Sequence, residues 1–564
     1  MKRHMLMGWA ALAISLSLNF KTQAQDSTAT AVRTLNVVAT SHLDTQWRWT
    51  IQKTINDYIP ATARDNFRLF EEFPDYTFSF EGAFRYMLLQ EYYPEEYRKL
   101  KDYVAAGRWR VAGSWVDAVD VNIPSAESLI RQTLYGNGFF QREFGKTSRD
   151  VFLPDCFGFG YALPSVAAHC GLKGFSTQKL TWGSAYGIPF DIGLWKGVDG
   201  NGLVAQLNPG SYVSQIRGDL SRDTTLFRII NKQGESSGLY SGFKYFGTGD
   251  IGGAPDSESV AWLEKSLHGN GPITVRSAAS DEVARSLTPE QVARLPRYNG
   301  ELLMTRHGVG CYTSQAAMKR WNRKNELLAD AAEKASVAAH LLGGATYPKE
   351  RLRESWIRFL WHQFHDDLTG TSIPEAYEFS WNDEILSQKS FASILENAVE
   401  AVAAGLDTRV EGIPLVVYNP LGMDYFGIVE ATIVFPDKPY KSIGVFGPGG
   451  AHPRASQVVA RYGDSAKILF LADVPSLGFA VYDVREAETS KGSSYTVQVT
   501  DSSLFAGSYR VKLNRDGDVA SILWAGVREL LSEPIRLELL TDKPKNWPAW
   551  EIDYEDVMAA RRGR

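Results

Sequence analysis

The chain has 564 residues, enough for several domains at roughly 100–200 residues each. Its composition, 44% hydrophobic and 22% charged, is that of a globular protein and excludes a disordered chain or a bundle of membrane helices. The net charge is −5, and acidic and basic residues are well mixed. A surface built to hold a phosphate backbone is therefore not indicated, and nucleic acid is not an expected partner.

The N-terminus has the three parts of a secretory signal peptide. Residues 2–4 (KRH) are basic, and Met5 to Leu18 is apolar but too short for a comfortable membrane span. Small residues at Thr22 and Ala24 suit a cleavage site. The sequence therefore predicts a signal peptide at residues 1–25 and a secreted or periplasmic protein, with an uncleaved anchor as the alternative.

The cysteine content limits both disulfides and metal sites. Only Cys156, Cys170 and Cys311 are present, so the chain can form at most one disulfide. None of them belongs to a CxxC pair, and a thiolate zinc site is not indicated. Any metal ion should therefore be bound by histidine and carboxylate side chains.

Residues 33–310 alternate short apolar runs with helical patterns. Leu35 to Thr40 and Trp109 to Ala112 are typical of buried strands, and Ser125 to Phe144 is typical of a helix. Strands that alternate with helices predict a parallel α/β core. In such folds the chemistry lies in the loops that follow the carboxyl ends of the strands.

The character of the chain changes twice more. Residues 313–406 are rich in Ala, Glu, Lys and Leu at helical spacing, which predicts a bundle of three helices. From residue 411 the pattern is one of short β-branched and aromatic runs separated by turns, and Asp516-Gly517 predicts a hairpin. The last region, 411–564, is predicted to be a β-sandwich domain.

The first polar segment whose side chains could bind a metal or act in catalysis is SHLDTQW (41–47), directly after the strand at 35–40. His42 and Asp44 are two residues apart, so in an extended backbone their side chains share a face and could bind one ion. The alternative is a loop-capping aspartate beside a hydrogen-bonded histidine.

Two further segments place single aspartates among glycines, which allow a ligand to approach closely. Asp155 lies in LPDCFGFG (153–160) at a predicted strand end, and Asp250 lies in GTGDIGGAP (247–255). The alternative for each is a plain Asx turn.

The last polar segment is WHQFHDDLTGT (361–371), at the end of an amphipathic helical pattern that spans 350–365. His362 and His365 are predicted to lie one turn apart on that helix, with Asp366 and Asp367 after them. Buried charges need partners or a metal ion, so the cluster is a candidate metal site. The alternative is a helix end that favours histidine through the helix dipole.

Together these segments, in this order, resemble the family 38 glycoside hydrolases, the α-mannosidases. The family has His-x-Asp and a tryptophan after its first strand, then Pro-Asp-x-Phe-Gly, then His-Asp followed by Thr-Gly-Thr. The matching positions are His42, Asp44, Trp47, Pro154, Asp155, Phe157, Gly158, His365, Asp366, Thr369, Gly370 and Thr371. Thr40 departs from the pattern, since many members have a second histidine there. The resemblance covers about residues 33–558.

The resemblance implies a fold and a reaction. The fold would be a seven-stranded α/β barrel (33–310), a three-helix bundle (313–406) and an antiparallel β domain. The reaction would be that of a retaining, exo-acting α-mannosidase, which hydrolyses terminal α-mannosides of glycans by a metal-assisted double displacement. The alternatives are a metal-dependent deacetylase-like hydrolase and a sugar-binding or catalytically impaired fragment. Linkage, oligomeric state and the identity of the metal stay open.

The resemblance also implies roles for single residues. One Zn²⁺, or another divalent ion, would be bound by His42, Asp44, Asp155 and His365. Asp155 would also be the nucleophile and Asp250 the acid/base, with Asp366 or Asp120 as alternative acids. Trp47 would stack on the sugar, and Asp366 would contact substrate or orient the metal site.

The β region is expected to be incomplete. Family members continue well beyond the segment that matches Trp547–Asp553, whereas this chain ends at Arg564. Strands that lack a partner sheet should leave an apolar face or edge uncovered. A truncated β domain and little or no hydrolase activity are therefore predicted.

Overall fold

The computed structural model describes residues 31–305, 307–450, 452–487 and 497–560. The predicted signal peptide at 1–25 lies outside the described residues. Within the described ranges, no helix is both long enough and apolar enough to cross a membrane. The three cysteines are free thiols.

Residues 33–310 form the α/β region that the strand and helix alternation predicts. Its strands are β1 (Thr34–Ser41), β2 (Phe78–Glu81), β3 (Trp109–Ala112), β4 (Asp150–Phe152), β5 (Gly174–Ser176), β6 (Ile192–Lys196), β7 (Gly202–Gln206), β8 (Ser241–Thr248), β9 (Thr274–Ser277) and β10 (Arg297–Asn299). Its helices are α1 (Ile51–Lys53), α2 (Ile59–Glu72), α3 (Ala83–Tyr92), α4 (Pro94–Ala105), α5 (Ala126–Phe144), α6 (Leu163–His169), α7 (Thr224–Ser237), α8 (Ser257–Leu267), α9 (Glu282–Ser286) and α10 (Pro289–Arg294). Ser125 caps α5 by accepting a hydrogen bond from the Ser128 N–H.

These strands lie in two sheets. One is parallel, in the order β3-β2-β1-β8, with β9 paired to the first half of β1. The other has the order β10-β6-β7-β5-β4 and is parallel except between β6 and β7. Backbone hydrogen bonds also connect the two regions: Ser114 N–H, after β3, donates to Asp150 O of β4 (3.1 Å). Tyr245 N–H of β8 donates to Pro209 O in the loop after β7 (2.8 Å). The closed seven-stranded barrel stays a prediction.

The core of the first sheet explains why β1 is central. Side chains of β1 alternate between two buried surroundings, because successive residues of a strand point to opposite faces. Leu35, Val37 and Ala39 pack with residues of α2, α3 and α4, whereas Val38 packs with Phe152 and Tyr245 on the inner face. A strand that is buried on both faces positions its carboxyl end rigidly.

Residues 316–403 form α11 (Ala316–Leu341), α12 (Lys349–Trp361) and α13 (Pro374–Ala403), which share an apolar core around Trp356 and Phe359. The prediction that His362 and His365 lie on one helix is wrong. Helix α12 ends at Trp361, and residues 362–370 form tight turns. Because the chain must turn from the bundle back to the sheets, it leaves the helix one turn earlier than the periodicity indicates.

From Ile413 the chain is antiparallel β structure, as predicted. The strands are β11 (Ile413–Tyr418), β12 (Tyr425–Val434), β13 (Ile443–Phe446), β14 (Pro453–Arg454), β15 (Ser456–Tyr462), β16 (Ser465–Val474), β17 (Phe479–Glu486), β18 (Gln498–Thr500), β19 (Ser503–Ala506), β20 (Tyr509–Leu513), β21 (Val519–Trp524) and β22 (Arg528–Glu529), followed by helix α14 (Tyr554–Met558). The predicted hairpin joins β20 to β21, where Gly517 has φ +88°.

The expectation of strands without a partner sheet is wrong for residues 413–486. There the sheets β11-β17-β13-β14 and β12-β16-β15 pack face to face, with Phe470 and Tyr482 in ring contact at 5.0 Å across the interface. Both rings are buried in the shared core. By contrast, among residues 497–560 only Asp518 is buried, so the sheet β18-β19-β20-β21-β22 has uncovered faces in this chain.

Candidate active site

The polar segments predicted from the sequence lie close to the carboxyl ends of three parallel strands. His42 and Asp44 follow β1, Asp155 follows β4 by three residues, and Asp250 follows β8 by two. The β1 and β8 loops are joined by backbone hydrogen bonds, including one from Asp44 N–H to Asp250 O (2.8 Å). β1 and β8 are neighbours in one sheet and β4 lies in the other, and the carboxyl ends of the three strands bring residues distant in sequence together.

Two histidines and two carboxylates converge at this edge. One ligand atom from each of His42, Asp155 and His365 lies within 4.8 Å of the other two. The Asp44 Oδ1 atom is 3.0 Å from His42 Nε2 and 3.5 Å from His365 Nε2. His365 therefore faces Asp155 and not the helices, although it follows α12 in the chain.

Hydrogen bonds behind the cluster orient both rings. The His42 Nδ1 atom is 2.7 Å from Glu81 Oε1, and His365 Nδ1 is 2.8 Å from the Ala118 carbonyl oxygen. A carbonyl oxygen only accepts, so His365 Nδ1 carries the hydrogen and its Nε2 faces the cluster. The His42 Nε2, His365 Nε2 and Asp44 Oδ1 atoms are buried and have no hydrogen-bond partner within the described residues. Such atoms suit a divalent cation, which would replace the missing partners.

The electrostatics of the cluster are those of closely spaced acids and histidines. Burial alone would lower the pKa of His42, but the carboxylates of Asp44 and Glu81 more than offset it and raise that pKa well above its ordinary value. Burial, followed by the charge of Asp44, raises the pKa of Asp366 to about 7. The Asp366 carboxyl accepts a hydrogen bond from Thr371 Oγ1 and lies 3.7 Å from His365 Nε2.

Asp155 has a cationic neighbour. Lys179 Nζ donates a hydrogen bond of 2.7 Å to Asp155 Oδ1, and the lysine is itself buried. The ammonium also lies 4.9 Å from the Phe157 ring centroid and 4.4 Å from that of Trp182. This ion pair fixes the position of the Asp155 carboxylate, which lines the cavity.

Asp250 has a different environment. Tyr212 donates a hydrogen bond of 2.9 Å from its hydroxyl to Asp250 Oδ1. Burial raises the pKa of Asp250, and the negative charge of Asp44 raises it further. Two carboxyls at one cavity, one paired with a lysine and the other with a raised pKa, suit a division into nucleophile and proton donor.

Four carboxylates of this site, with Lys179 and Tyr212, line one cavity of about 220 Å³. Its acidic lining is Asp44, Asp155, Asp250 and Asp366. Its aromatic lining is Trp47, Phe157, Trp182, Tyr212, His307, Trp547 and Trp550. The predicted site residues are therefore brought together, and Trp47 lies where it could contact a sugar.

Other predicted candidates lie away from the cavity. His362 hydrogen bonds to Asp367 and lies 3.2 Å from Asp383 Oδ2 of α13, so it belongs to the helices. Asp120 accepts hydrogen bonds from the Asn122 and Ile123 N–H groups as a turn cap and does not line the cavity. It is thus a poorer alternative acid than Asp366.

Comparison with known proteins agrees with this geometry. Residues 33–301 match the N-terminal domain of glycosyl hydrolases family 38, and residues 309–402 match the alpha mannosidase middle domain. The chain belongs to glycoside hydrolase family 38. It is 30% identical to human alpha-mannosidase 2C1 over 92% of its own length and 47% of that protein's. It is 33% identical to alpha-mannosidase G of Dictyostelium discoideum over 60% of this chain and 30% of that one.

The fold is similar to that of solved family members. An alpha-mannosidase from Enterococcus faecalis V583 superposes with a TM-score of 0.69 at 18% identity, over 87% of this chain and 60% of that one. This chain spans about half the length of its human relative, 47%.

Several residues of this family 38 site were not singled out from the sequence as functional. Glu81 ends β2, so it carries the same signal as Asp155, a carboxylate at the end of a parallel strand. Tyr212 and His307 lie in loops without any distinguishing pattern. Trp547 and Trp550 belong to a segment that resembles the family, but nothing in the local sequence indicates that it reaches the cavity.

Proposed function

We propose that this chain carries the active site of a retaining, exo-acting α-mannosidase that acts on terminal α-mannosides of glycans. The observation that supports the proposal most is the convergence of His42, Asp44, Asp155 and His365 beside a second carboxyl, Asp250, at one aromatic cavity. Family membership supports the substrate class, since the human and Dictyostelium discoideum relatives are named alpha-mannosidases.

In this proposal the two carboxyls divide the chemistry. Asp155 attacks the anomeric carbon and forms a glycosyl-enzyme, while Asp250 protonates the departing oxygen. Asp250 then takes a proton from the water that releases the sugar. The Lys179 ammonium orients Asp155 for attack, and the Tyr212 hydroxyl orients Asp250.

One divalent ion, proposed to be Zn²⁺, would be held by His42, Asp44, Asp155 and His365. The unpartnered ring nitrogens and the Asp44 oxygen fit such an ion, because histidine and carboxylate are the ligands that zinc takes in hydrolases. When bound, the ion would supply electrostatic stabilisation of charge and chelation of sugar hydroxyls. Asp366 would contact substrate or orient the ligands, and Trp47 would stack on the sugar.

The test is hydrolysis of an aryl α-mannoside by the whole chain, with and without a chelator. Asp155→Asn should abolish turnover. Asp250→Ala should be partly rescued by azide, which needs no general base to attack the glycosyl-enzyme. Asp437→Asn, an exposed turn residue, is the matched control.

A slow fluorinated mannoside should leave a covalent adduct on the peptide that contains Asp155, detectable by mass spectrometry. A deacetylase-like enzyme would act through a metal-bound water and leave no adduct. Hydrolysis that proceeds without the adduct, or that Asp155→Asn does not affect, would exclude the double displacement.

We further propose that the chain is exported after cleavage near Ala24, on the basic and apolar pattern of residues 1–25. Sequencing of the mature N-terminus after expression would test this. The division into 33–310, 313–406 and 411–564 is likewise proposed, and limited proteolysis should cut between these ranges first.

A further inference from the structure

A short segment far from the sheets in sequence closes one side of the cavity. We call residues Trp547–Glu551 the tryptophan strap. The Gly310 N–H donates a hydrogen bond of 2.7 Å to the Trp550 carbonyl oxygen, and Ser314 Oγ donates one of 2.9 Å to that of Ala549. His307 Nδ1 lies 3.3 Å from Glu551 Oε1. The strap is thus attached to the loop at 307–314, which borders the active site.

The strap rings extend the aromatic lining in an ordered way. The Trp550 ring is nearly parallel to the His307 ring, with centroids 6.3 Å apart, and meets Trp47 edge-on at the same distance. Trp547 meets Trp182 edge-on at 6.4 Å. Trp550 therefore lies towards the predicted sugar-stacking residue, and Trp547 lies farther along the wall, opposite Trp182.

Exposure shows which end of the cavity each ring occupies. The carboxylates of Asp44 and Asp366 are at the buried end, since these residues are 2% and 3% exposed. Trp182 and Trp547 are 48% and 39% exposed and form the rim. An exo-acting enzyme takes the terminal sugar at the buried end, so the remainder of the substrate must leave past the rim.

We propose that Trp547 of the strap, together with Trp182, forms the subsite for the leaving group and sets a preference for leaving groups with a flat apolar face. An aryl group or the C–H face of a second sugar ring has this chemistry. Large, rigid indole rings gain contact area at little entropic cost. The inference rests on the proposed function, because it takes the orientation of the substrate from exo-acting hydrolysis.

Trp547 is the residue to change. Trp182 lies against the Lys179 ammonium, which also binds Asp155, so its removal would disturb the nucleophile. Trp547 is 39% exposed, and its ring lies beside those of Trp182, His307 and Trp550. The matched control is Trp524→Ala, at a tryptophan of similar exposure (44%) on β21 that does not line the cavity.

The experiment compares two substrates on the zinc-loaded full chain. 4-Nitrophenyl α-mannoside has a flat leaving group, whereas α-mannosyl fluoride has a single atom that cannot reach the rim. Trp547→Ala should lower the ratio of kcat/KM for the aryl substrate to that for the fluoride by about tenfold. Trp524→Ala should leave the ratio at its wild-type value. A ratio unchanged in Trp547→Ala, including an equal loss on both substrates, would overturn the inference.

A binding measurement separates this inference from the proposed function. Calorimetry with phenyl and methyl α-mannoside should show that the wild-type chain prefers the phenyl glycoside, and that Trp547→Ala loses this preference. That result in a chain that hydrolyses neither kinetic substrate would retain the subsite and reject the catalytic proposal. If the wild-type chain binds neither glycoside, or both equally, the subsite itself is rejected.

Discussion

The carboxylate behind His42 offers a direct test of the proposed metal site. Glu81 is 1% exposed, and its Oε1 atom lies 2.7 Å from His42 Nδ1. It binds the side of the ring that faces away from the cluster, so it fixes the ring orientation and makes Nε2 the better ligand. Glu81→Gln keeps the size of the side chain and an accepting oxygen but removes the negative charge.

The expected loss of Zn²⁺ affinity follows from the usual contribution of a group that hydrogen bonds to a histidine ligand. Removing the group that orients a histidine ligand typically weakens metal binding by about 10- to 100-fold, and each factor of ten is about 1.4 kcal/mol. We therefore expect Glu81→Gln to weaken Zn²⁺ binding by about 1.4–2.8 kcal/mol. The effect should be at the upper end, because Glu81 is buried and its charge is not screened by solvent.

The assay is competition for Zn²⁺ with a chromophoric chelator, on chains whose folding is checked by circular dichroism. Asp150→Asn is the matched control, because Asp150 is a buried carboxyl whose pKa burial raises to about 7 and it is not among the groups that could hold the ion. Equal Zn²⁺ affinities in wild type and Glu81→Gln would refute the argument, as would a loss of the same size in Asp150→Asn.

Two stability predictions follow from buried groups elsewhere. Burial raises the pKa of Glu384 from 4.5 to about 8, so the folded chain retains a proton that the unfolded chain releases. The stabilisation present below about pH 4.5 is therefore lost as pH rises through about 8. Between pH 5 and 9 the Tm of Glu384→Gln should fall less than that of wild type. Glu396 is exposed on the same helix, so Glu396→Gln should show the wild-type dependence of Tm on pH. Parallel curves of Tm against pH for Glu384→Gln and wild type would contradict this. In helix α5, Gly136→Ala should lower the free energy of unfolding, because its Cβ would meet the Ser114 carbonyl oxygen at 2.4 Å. Gly138 in the same helix has open space around its Cβ position, so Gly138→Ala should raise the free energy of unfolding by up to about 1 kcal/mol. Urea titrations that rank the two variants in the opposite order would show the reasoning to be wrong.

Local patterns determined the elements on which the site is built. Short apolar runs predict the bounds of β1 and β3 to within one residue, because the pattern of a strand depends only on neighbouring residues. Polar residues after strands then predict that His42, Asp44 and Asp155 belong to one site. The hairpin at Gly517 also follows from its own sequence, since its φ of +88° is a conformation that glycine adopts readily.

Tertiary structure decided which distant segments of the chain come into contact. Helix α12 ends at Trp361 because the chain must turn back to bring His365 to Asp44, and helical periodicity contains no information on that turn. Likewise, the strap joins the cavity through backbone hydrogen bonds such as Gly310 N–H to Trp550 O, which leave no trace in side-chain pattern. Sequence alone thus predicted the polar residues that meet at the site, while long-range packing decided that Trp547 lines the same cavity.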